Sequence, residues 1–382
     1  TLFVSNHLSY LDIPVLGSTL NGRFIAKEEI SKWPVIGYLS KVGNTIFINR
    51  NLRFLRTNKS IIFDHIDNEI FIVSEDTEKF NSICKDIEGD FNEMINVKNN
   101  SIGSIELINK GSEEEHQCQV KKCIEYIFQG EIFQANLSRL WSYKVDNGIK
   151  AVDIYRQLRV KNPSPFSGFV NFNNSFIISS SPERLVSVNE NFLETRPIAG
   201  TRPRGSSGLH DIELSNELIN SDKEKAEHLM LVDLERNDIS KVCEPGSVKV
   251  NEMMTIESYA HVHHIVSNVC GQKIKNVSPG KVISSVFPGG TITGCPKVRC
   301  MEILGELEKI GRGPYTGSFG YITHSGNMDV NILIRSMLLE NNNLYFRAGG
   351  GIVADSAPEA ETRETEAKAN GMLNALKAFS DV

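Results

Sequence analysis

The stretch NLYFRAGGGIVADSAPEAETRETEAKANGMLNALKAF, residues 343–379, decides the fold class. Its first part reads as a β-strand that runs into three consecutive glycines, and such a run indicates a tight turn or a close approach of another group to the backbone. Its second part, from Pro358 onward, predicts a closing α-helix with proline at its start. A strand, a turn and a helix that follow one another without a strict βαβ rhythm indicate an α+β protein rather than a doubly wound sheet.

The sequence on the N-terminal side of this stretch also indicates an α+β protein. FSGFVNF (166–172) and SFIISSSPE (175–183) predict a hairpin with Asn173-Asn174 as its turn. HQCQVKKCIEYIFQGE (116–131) predicts a helix that stops at Gly130. Further on, the sequence predicts one long helix over 215–238 and an alternating strand over 257–269. The mixture predicts a mostly antiparallel α+β sandwich.

Composition limits the function classes. The 382 residues are 40% hydrophobic and 23% charged, as in ordinary globular proteins, and the net charge of −6 supplies no basic face for nucleic acid. No apolar run approaches the roughly 20 residues of a membrane span. Seven scattered cysteines without a CxxC pair indicate reduced thiols and a cytoplasmic protein. The start has neither Met nor the features of a signal peptide, which predicts that the chain begins inside a longer reading frame.

Two pairs of glutamates are the first chemical signal. Glu224 and Glu227 fall on one predicted helix, and Glu361 and Glu364 fall on another. Because residues three apart share a helix face, each pair presents two carboxylates together. Two such faces that meet would form an oxygen cage for Mg²⁺, with a substrate carboxylate as a further ligand. The alternative for each pair is a solvated helix face that also carries lysines.

Three glycine-containing segments indicate anion binding. They are PGGTITGCPK (288–297), RAGGGIVADS (347–356) and RPIAGTRPRG (196–205). The first precedes a predicted helix, whose unpaired N–H groups and dipole attract an anion. Arg335, in a predicted strand, adds a guanidinium that can bind a carboxylate through two hydrogen bonds. A ligand with several carboxylates and a hydroxyl would suit this set.

Three histidines are candidates for acid–base chemistry. On an alternating strand His261 and His263 share one face and His264 takes the other, so at most one face can look into a site. The sequence offers no fourth ligand that would make them a zinc site. The alternative for each is a hydrogen-bonded core histidine.

From about residue 113 to 380, the chain resembles the chorismate-utilising synthase components. The resemblance is carried by ordered blocks such as IFQANLSR, SPERLV, ETRPIAGTRPRG, DKEKAEHLMLVDLERND, YTGSFGY and EAETRETEAKA. It implies an anthranilate-synthase-like, two-layer α+β sandwich, with helices outside mostly antiparallel sheets and chorismate bound between the layers.

The resemblance also implies the roles of individual residues. The Mg²⁺ ligands would be Glu224, Glu227, Glu361 and Glu364. Chorismate contacts would come from Gly200, Thr201, Tyr315, Arg335 and Gly351. Thr291 would lie near the leaving group, His264 would act as a base, and Lys368 would lie near the metal-bound carboxylate.

Gln134 narrows the reaction. Family members that add water to chorismate have a lysine in this block, and a lysine can deprotonate water whereas a neutral amide cannot. Gln134 therefore indicates ammonia as the nucleophile and argues against isochorismate and salicylate synthases. In such members the ammonia comes from a separate glutamine amidotransferase subunit, so the resemblance implies that partner.

The carbon that receives the amino group is C4 or C2 of chorismate. NPSPFSGF, QANLSR, PGGTITG and GGGIVADS resemble component I of the aminodeoxychorismate synthases of folate biosynthesis, which aminate C4. Those enzymes often carry a lysine where this chain has Ala199, as the anthranilate synthases of tryptophan biosynthesis do. We expect 4-amino-4-deoxychorismate, because four blocks favour it against one, with anthranilate as the alternative.

Residues 1–50 resemble a second family, the 1-acylglycerol-3-phosphate acyltransferases. SNHLSYLD matches that family's His-x₄-Asp box, with His7 as base and Asp12 orienting it, and Arg50 falls where a second block meets phosphate. The Glu-Gly-Thr turn of the third block is absent from the sequence. We therefore expect a truncated acyltransferase-like fragment in 1–50, a remnant of the synthase N-terminal region and a linker in 51–112, and the catalytic domain in 113–382. The remaining alternatives are an acyltransferase at a membrane surface and an inactive or regulatory fusion fragment.

Overall fold

The computed structural model describes residues 25–27, 46–48, 56–57, 59–75, 77–96, 103–172, 174–258 and 262–379. The chain divides into two units, Thr1–Asn100 and Ser101–Val382. The predicted acyltransferase residues His7, Asp12 and Arg50 lie outside the described residues. None of the helices within these ranges is long and apolar enough to cross a membrane.

The first unit contains two strand pairs and a helix in its described part. The pairs are β1 (Ile25–Lys27) with β2 (Ile46–Ile48), which run parallel, and β3 (Lys59–Asp64) with β4 (Glu69–Ser74), which form an antiparallel hairpin; α1 (Phe80–Asn96) follows. The Asp64 side chain accepts hydrogen bonds from the backbone N–H groups of Ile66 and Asp67, and this side-chain-to-backbone turn closes the hairpin.

The second unit alternates strands and helices. In chain order its elements are β5 (Ile105–Lys110), α2 (Glu113–Phe128), β6 (Gln134–Val145), α3 (Ala151–Lys161), β7 (Phe166–Phe172), β8 (Ser175–Ser181), β9 (Arg184–Asn189), β10 (Phe192–Thr195), β11 (Ile198–Pro203), α4 (Gly208–Asn220), α5 (Asp222–Ser240), β12 (Lys249–Ser258), β13 (Val262–Gln272), α6 (Pro279–Val286), β14 (Gly294–Cys295), α7 (Lys297–Glu308), β15 (Gly320–Ile322), β16 (Met328–Asn331), β17 (Ser336–Glu340), β18 (Asn343–Ile352) and α8 (Pro358–Leu376). A short 3₁₀ turn, Lys377–Phe379, follows α8.

Two antiparallel sheets, each of seven strands within the described residues, form the core of this unit. In the first sheet the strand order is β14-β6-β18-β17-β8-β7, and β5 also pairs with β6. In the second sheet the order is β11-β13-β10-β9-β16-β15, and β12 also pairs with β13. All of these pairings are antiparallel. The predicted α+β class with mostly antiparallel sheets is therefore confirmed.

Helices cover both sheets through buried apolar side chains. On the first sheet, Trp141 of β6 shares a cluster with Leu158 of α3 and Met372 of α8. Leu137 of β6 lies in another cluster with Val120 of α2. The second sheet is covered in the same way by α5 and α6. Burial of each such side chain contributes about 1.5–3 kcal/mol, so these clusters fix the helices outside the sheets.

Local signals set the ends of several elements as predicted. At the start of α2, the Ser112 hydroxyl accepts a hydrogen bond from the backbone N–H of Glu115 at 3.2 Å, which caps the helix. The helix ends just before Gly130, whose φ of 75° is a conformation that favours glycine. The predicted stop at Gly130 and the predicted hairpin of β7 and β8 are both confirmed.

The prediction of one continuous helix over 215–238 is wrong. The chain breaks at Ser221, which is extended and whose hydroxyl accepts a hydrogen bond from the N–H of Glu224 at 3.3 Å. A serine that can cap a helix competes with helix continuation, because its side chain offers the backbone another partner. The break ends α4 and places Glu224 in the first turn of α5.

The prediction of a turn at the glycine run is also wrong. Gly349, Gly350 and Gly351 continue β18 and pair with residues 138, 137 and 136 of β6. The glycines therefore allow another group to approach the strand closely, which was the other interpretation of the run.

The second unit begins at Ser101, before the expected boundary at residue 113, because β5 joins the same sheet by pairing with β6.

Candidate active site

Two glycines of β18 let polar side chains lie against the strand. A Cβ atom on Gly351 would lie 2.1 Å from Nε2 of Gln134. A Cβ atom on Gly349 would lie 2.9 Å from both Oδ1 of Asn136 and the hydroxyl of Tyr315. Since residues two apart on a strand share a face, the structure brings these three polar side chains to one face of β18.

The intervening Gly350 faces the carboxylates of α8. A Cβ atom on Gly350 would lie 3.2 Å from Oε2 of Glu361 and 3.4 Å from Oε1 of Glu364. Glu361 is buried and accepts a hydrogen bond from the Ser356 hydroxyl at 2.6 Å. Glu364 is half exposed and pairs with Lys368 at 2.7 Å, and Lys368 also donates to a carbonyl of the glycine strand at 3.1 Å.

The PIAGT segment contributes from the second sheet. The pairing of β11 with β13 shifts register between Ala199 and Thr201, and Gly200 at this bulge has a φ of 63°. A Cβ atom on Gly200 would lie 2.9 Å from Oε2 of Glu224. The Thr201 hydroxyl lies 3.0 Å from Nδ1 of His264. Four of the predicted site residues therefore lie side by side.

His264 is held as a neutral imidazole. Its Nδ1 lies 3.2 Å from the carbonyl oxygen of Gly200, and because a carbonyl only accepts, Nδ1 carries the hydrogen and Nε2 the lone pair. Burial lowers the pKa of His264 to about 4, with Arg335 and Lys368 adding to the lowering and the Gly200 hydrogen bond opposing it. The ring can therefore accept a proton at neutral pH.

The neighbouring histidines take other places. His263 is buried, with Nδ1 2.8 Å from the Ser258 hydroxyl and Nε2 3.0 Å from a carboxylate oxygen of Asp211. These contacts match the alternative of a hydrogen-bonded core histidine. His261 lies outside the described residues.

Sequence reasoning missed Glu183, which lies between β8 and β9 and is 5% exposed. It accepts a hydrogen bond from the hydroxyl of Thr291 at 2.8 Å. Burial raises the pKa of Glu183 to about 8; the Thr291 hydrogen bond opposes this and the charge of Glu235 adds to it. A carboxyl that keeps its proton at neutral pH beside a predicted site residue is a candidate general acid.

A second buried carboxyl supports the loop that carries Thr291. A Cβ atom on Gly290 would lie 3.4 Å from Oε1 of Glu235. Burial raises the pKa of Glu235 to about 7. Both carboxyls fall in blocks that carry the family resemblance, SPERLV and DKEKAEHLMLVDLERND, but only their burial distinguishes them from surface glutamates.

Charged groups from both layers converge on Glu183 and His264. The charge of Lys368, on α8, lowers the pKa of both groups. Burial lowers the pKa of the Arg335 guanidinium, and the charge of Glu183 opposes that shift. Because His264 belongs to the second sheet and α8 packs on the first, the candidate site lies where the two layers meet.

The four predicted Mg²⁺ ligands are not gathered into one cluster. Within the described ranges, no group of three or more His, Cys, Asp or Glu side chains is arranged to hold a metal ion. Glu224 pairs with Arg202 at 3.3 Å, and Glu227 lies partly buried about one turn further along α5. The residues still fit Mg²⁺ by their chemistry, because carboxylate oxygens are ligands that Mg²⁺ prefers. An oxygen of Glu224 lies against a glycine of one layer, and oxygens of Glu361 and Glu364 lie against a glycine of the other.

A buried ion-pair network supports Tyr315. Glu308 is 4% exposed and pairs with Arg312 at 2.7 Å and with Arg347 at 3.4 Å, and it accepts two hydrogen bonds from Ser138. Burial alone would raise the pKa of Glu308, but the two arginines outweigh it and hold that pKa below its usual range. The Arg312 guanidinium lies over the Tyr315 ring, 5.6 Å from its centre, so this cation–π contact links the ring to the network.

We expect Glu308→Gln to lower the free energy of unfolding by about 3–5 kcal/mol, because two buried arginines would lose their carboxylate while the shape stays the same. Denaturant titration followed by circular dichroism measures the loss. The matched control is Glu306→Gln on the same helix, where the side chain is exposed and contacts the Tyr126 hydroxyl; a change within about 0.5 kcal/mol is expected. Equal effects of the two variants would contradict the assignment of a buried network.

Comparisons with known proteins agree with this architecture. A family model described as chorismate binding enzyme matches residues 31–374. The chain is 43% identical over 323 residues to anthranilate synthase component 1 of Saccharolobus solfataricus, covering 85% of this chain and 73% of that protein. It is 48% identical over 258 residues to aminodeoxychorismate synthase component 1 of Bacillus subtilis, covering 68% of this chain and 54% of that protein.

The fold has a solved counterpart. The crystal structure of anthranilate synthase component I from Streptococcus pneumoniae TIGR4 matches with a TM-score of 0.72 and 33% identity, over 82% of this chain and 72% of that one. This match confirms the anthranilate-synthase-like sandwich. The chain spans about half to three-quarters of the length of the curated relatives that it matches.

Proposed function

Because this chain belongs to the chorismate-binding enzyme family, we propose that it aminates chorismate with ammonia, in a Mg²⁺-dependent reaction that yields 4-amino-4-deoxychorismate. The observation that carries amination is Gln134, a buried neutral amide against the glycine strand. An amide cannot deprotonate water, so this position does not support hydration of the substrate. Ammonia needs no such base, since it attacks through its own lone pair.

The residues divide between binding and chemistry. Arg335 suits a substrate carboxylate, because its guanidinium can donate two parallel hydrogen bonds. Thr201, Tyr315 and the glycines of the two layers would contact the rest of chorismate. Mg²⁺, held by Glu224, Glu227, Glu361 and Glu364, would neutralise a further carboxylate of the bound substrate.

Proton transfers follow from the charge states of two groups. Protonated Glu183, oriented by Thr291, donates its proton to the C4 hydroxyl, and the C–O bond breaks with loss of water. The lone pair of ammonia forms the new C–N bond. Neutral His264 accepts the surplus proton from the nitrogen through Nε2. Ammonia and chorismate are thereby converted into an aminated product and water.

The source of ammonia is part of the proposal. The relatives are named component 1 or component I, and such a component works with another subunit. We propose that a separate glutamine amidotransferase supplies ammonia to this chain. In its absence, ammonium salts should support the reaction.

Anthranilate is the second candidate product. Ala199 favours it, because the aminodeoxychorismate synthases that this chain resembles often carry at this position a lysine that attacks C2 of chorismate and directs ammonia to C4. In this chain the position is Ala199, which is buried in β11 and has no amine. No side chain at this position can therefore form a covalent bond to C2, and ammonia must attack chorismate directly. A misplacement of about 1 Å can cost about 10²-fold in rate, so the shape of this bulged strand would select the carbon.

We expect purified protein with chorismate, Mg²⁺ and ammonium chloride to form 4-amino-4-deoxychorismate, detected as 4-aminobenzoate once the separate lyase is added. The expected choice of C4 follows from the four blocks that resemble the aminodeoxychorismate enzymes. Chromatography with fluorescence detection, with and without lyase, distinguishes the two products. Fluorescent anthranilate without any lyase would assign the chain to the other branch, and the absence of both products would contradict amination itself.

A further inference from the structure

Two neighbouring amides of β6 have unused acceptor oxygens. Gln134 and Asn136 are two residues apart on the strand and therefore share a face, and they are only 5% and 8% exposed. Neither Oε1 of Gln134 nor Oδ1 of Asn136 receives a hydrogen bond from any described residue. Leaving a buried acceptor unpaired costs about 1–3 kcal/mol, so two on one face indicate a ligand that brings hydrogen-bond donors.

The orientation of Asn136 is fixed by its other atom. Its Nδ2 donates to the carbonyl oxygen of Thr291 at 3.4 Å, and only the amide nitrogen can make that contact. Oδ1 therefore points away from Thr291 and towards Gly349, where it and the Tyr315 hydroxyl both lie 2.9 Å from the position of a missing Cβ. The acceptor thus lies against the glycine strand, next to the loop whose Thr291 hydroxyl contacts Glu183.

We infer that the side-chain carbonyls of Gln134 and Asn136 together form the binding position for ammonia in the proposed amination. Ammonia has three N–H donors and one lone pair, so two carbonyl oxygens can hold it while the lone pair stays directed at the substrate. A hydrogen-bond donor at the same place would occupy that lone pair and block attack. The inference assigns to Asn136 the role of positioning the nucleophile, in addition to Gln134.

The test determines KM for ammonium and KM for chorismate separately, first in the wild-type protein and then in the variants. Initial rates are recorded with varied ammonium chloride at saturating chorismate and Mg²⁺, and then with varied chorismate at saturating ammonium. Asn136→Leu keeps the approximate volume and removes the acceptor, together with the Nδ2 hydrogen bond to Thr291. In this variant KM for ammonium should rise about three- to tenfold, the value of the one hydrogen bond lost to ammonia. KM for chorismate should stay within about twofold, because no contact to chorismate is removed.

Gln134→Leu gives a second test, since the side-chain hydrogen bond to the carbonyl oxygen of Thr291 comes from Asn136 and stays intact in this variant. The same selective rise in KM for ammonium is expected. Asn171→Leu is the matched control, because it makes the same change at an exposed site on β7, at the far edge of the same sheet. Circular dichroism and the chorismate KM report whether each variant is folded.

Three results would overturn the inference. If the wild type aminates chorismate and both variants keep the wild-type KM for ammonium, the ammonia position lies elsewhere although the proposed function stands. The same holds if KM rises equally for ammonium and chorismate, because that outcome describes a general distortion of the site. A wild type that forms no aminated product overturns the proposed function and the ammonia position together.

Discussion

The Glu183→Gln variant should convert chorismate about 10²–10⁴ times more slowly than the wild type, which is the usual contribution of a positioned general acid. Glutamine keeps the shape of the buried side chain and can still accept the Thr291 hydrogen bond, but it has no acidic proton for the leaving hydroxyl. The loss should therefore fall on kcat, with KM for chorismate nearly unchanged. Steady-state rates at saturating ammonium and Mg²⁺ measure it.

The pH profile separates an acid from a structural residue. A carboxyl whose pKa is raised to about 8 is protonated below that pH and loses its proton above it, so wild-type kcat should hold at neutral pH and fall as the pH rises through about 8. Three charged groups interact with this carboxyl. Glu235 raises its pKa, Lys368 lowers it, and the charge of the carboxylate in turn raises the pKa of Arg335. The residual rate of the glutamine variant should lack the same decline, because nothing remains at this position to titrate.

Glu213→Gln is the matched control, since Glu213 is exposed on α4 and should tolerate the change without loss of rate. A Glu183→Gln variant with more than a tenth of wild-type kcat would mean that another group protonates the leaving hydroxyl. An unchanged decline near pH 8 in that variant would assign the titration to a different residue.

Local features of the fold were predictable because they depend on neighbours in sequence. The hairpin of β7 and β8 and the stop of α2 at Gly130 follow from turn and cap chemistry that a short stretch contains. The break at Ser221 was missed because no glycine or proline marks it, and a single hydroxyl decides between cap and helix interior. The turn at the glycine run was predicted wrongly because glycine permits both a turn and an extended strand that another group approaches closely, and the sequence does not state what packs there.

The candidate site depended on contacts between distant segments. The contact of Thr201 with His264 was foreseen only as membership of one site, through the family resemblance, and the pairing of β11 with β13 supplies the geometry. Glu183 has no sequence signal of its own, because its pKa is raised by burial, which a sequence does not state. Asn136 was missed for a different reason, since its neighbour Thr291 is brought to it by the pairing of β14 with β6.

Glu364→Gln should abolish chorismate turnover. The variant keeps the volume of the side chain against Gly350 but removes one charged oxygen ligand from the proposed Mg²⁺ set. Mg²⁺ should also stabilise the wild-type protein by about 2.7 kcal/mol when its concentration is 100 times Kd, and this stabilisation should disappear in the variant. Product chromatography measures the first effect, and thermal unfolding with and without Mg²⁺ measures the second.

Glu359→Gln on the same helix is the control, because Glu359 is exposed in the first turn of α8 and carries no proposed ligand role. It should retain both turnover and the response to Mg²⁺. The separate readout of stability matters because Glu364 also pairs with Lys368, so a loss of turnover alone could come from a displaced lysine. Loss of turnover with an intact Mg²⁺ response would assign Glu364 to positioning Lys368, and full turnover in the presence of excess chelator would reject the metal proposal.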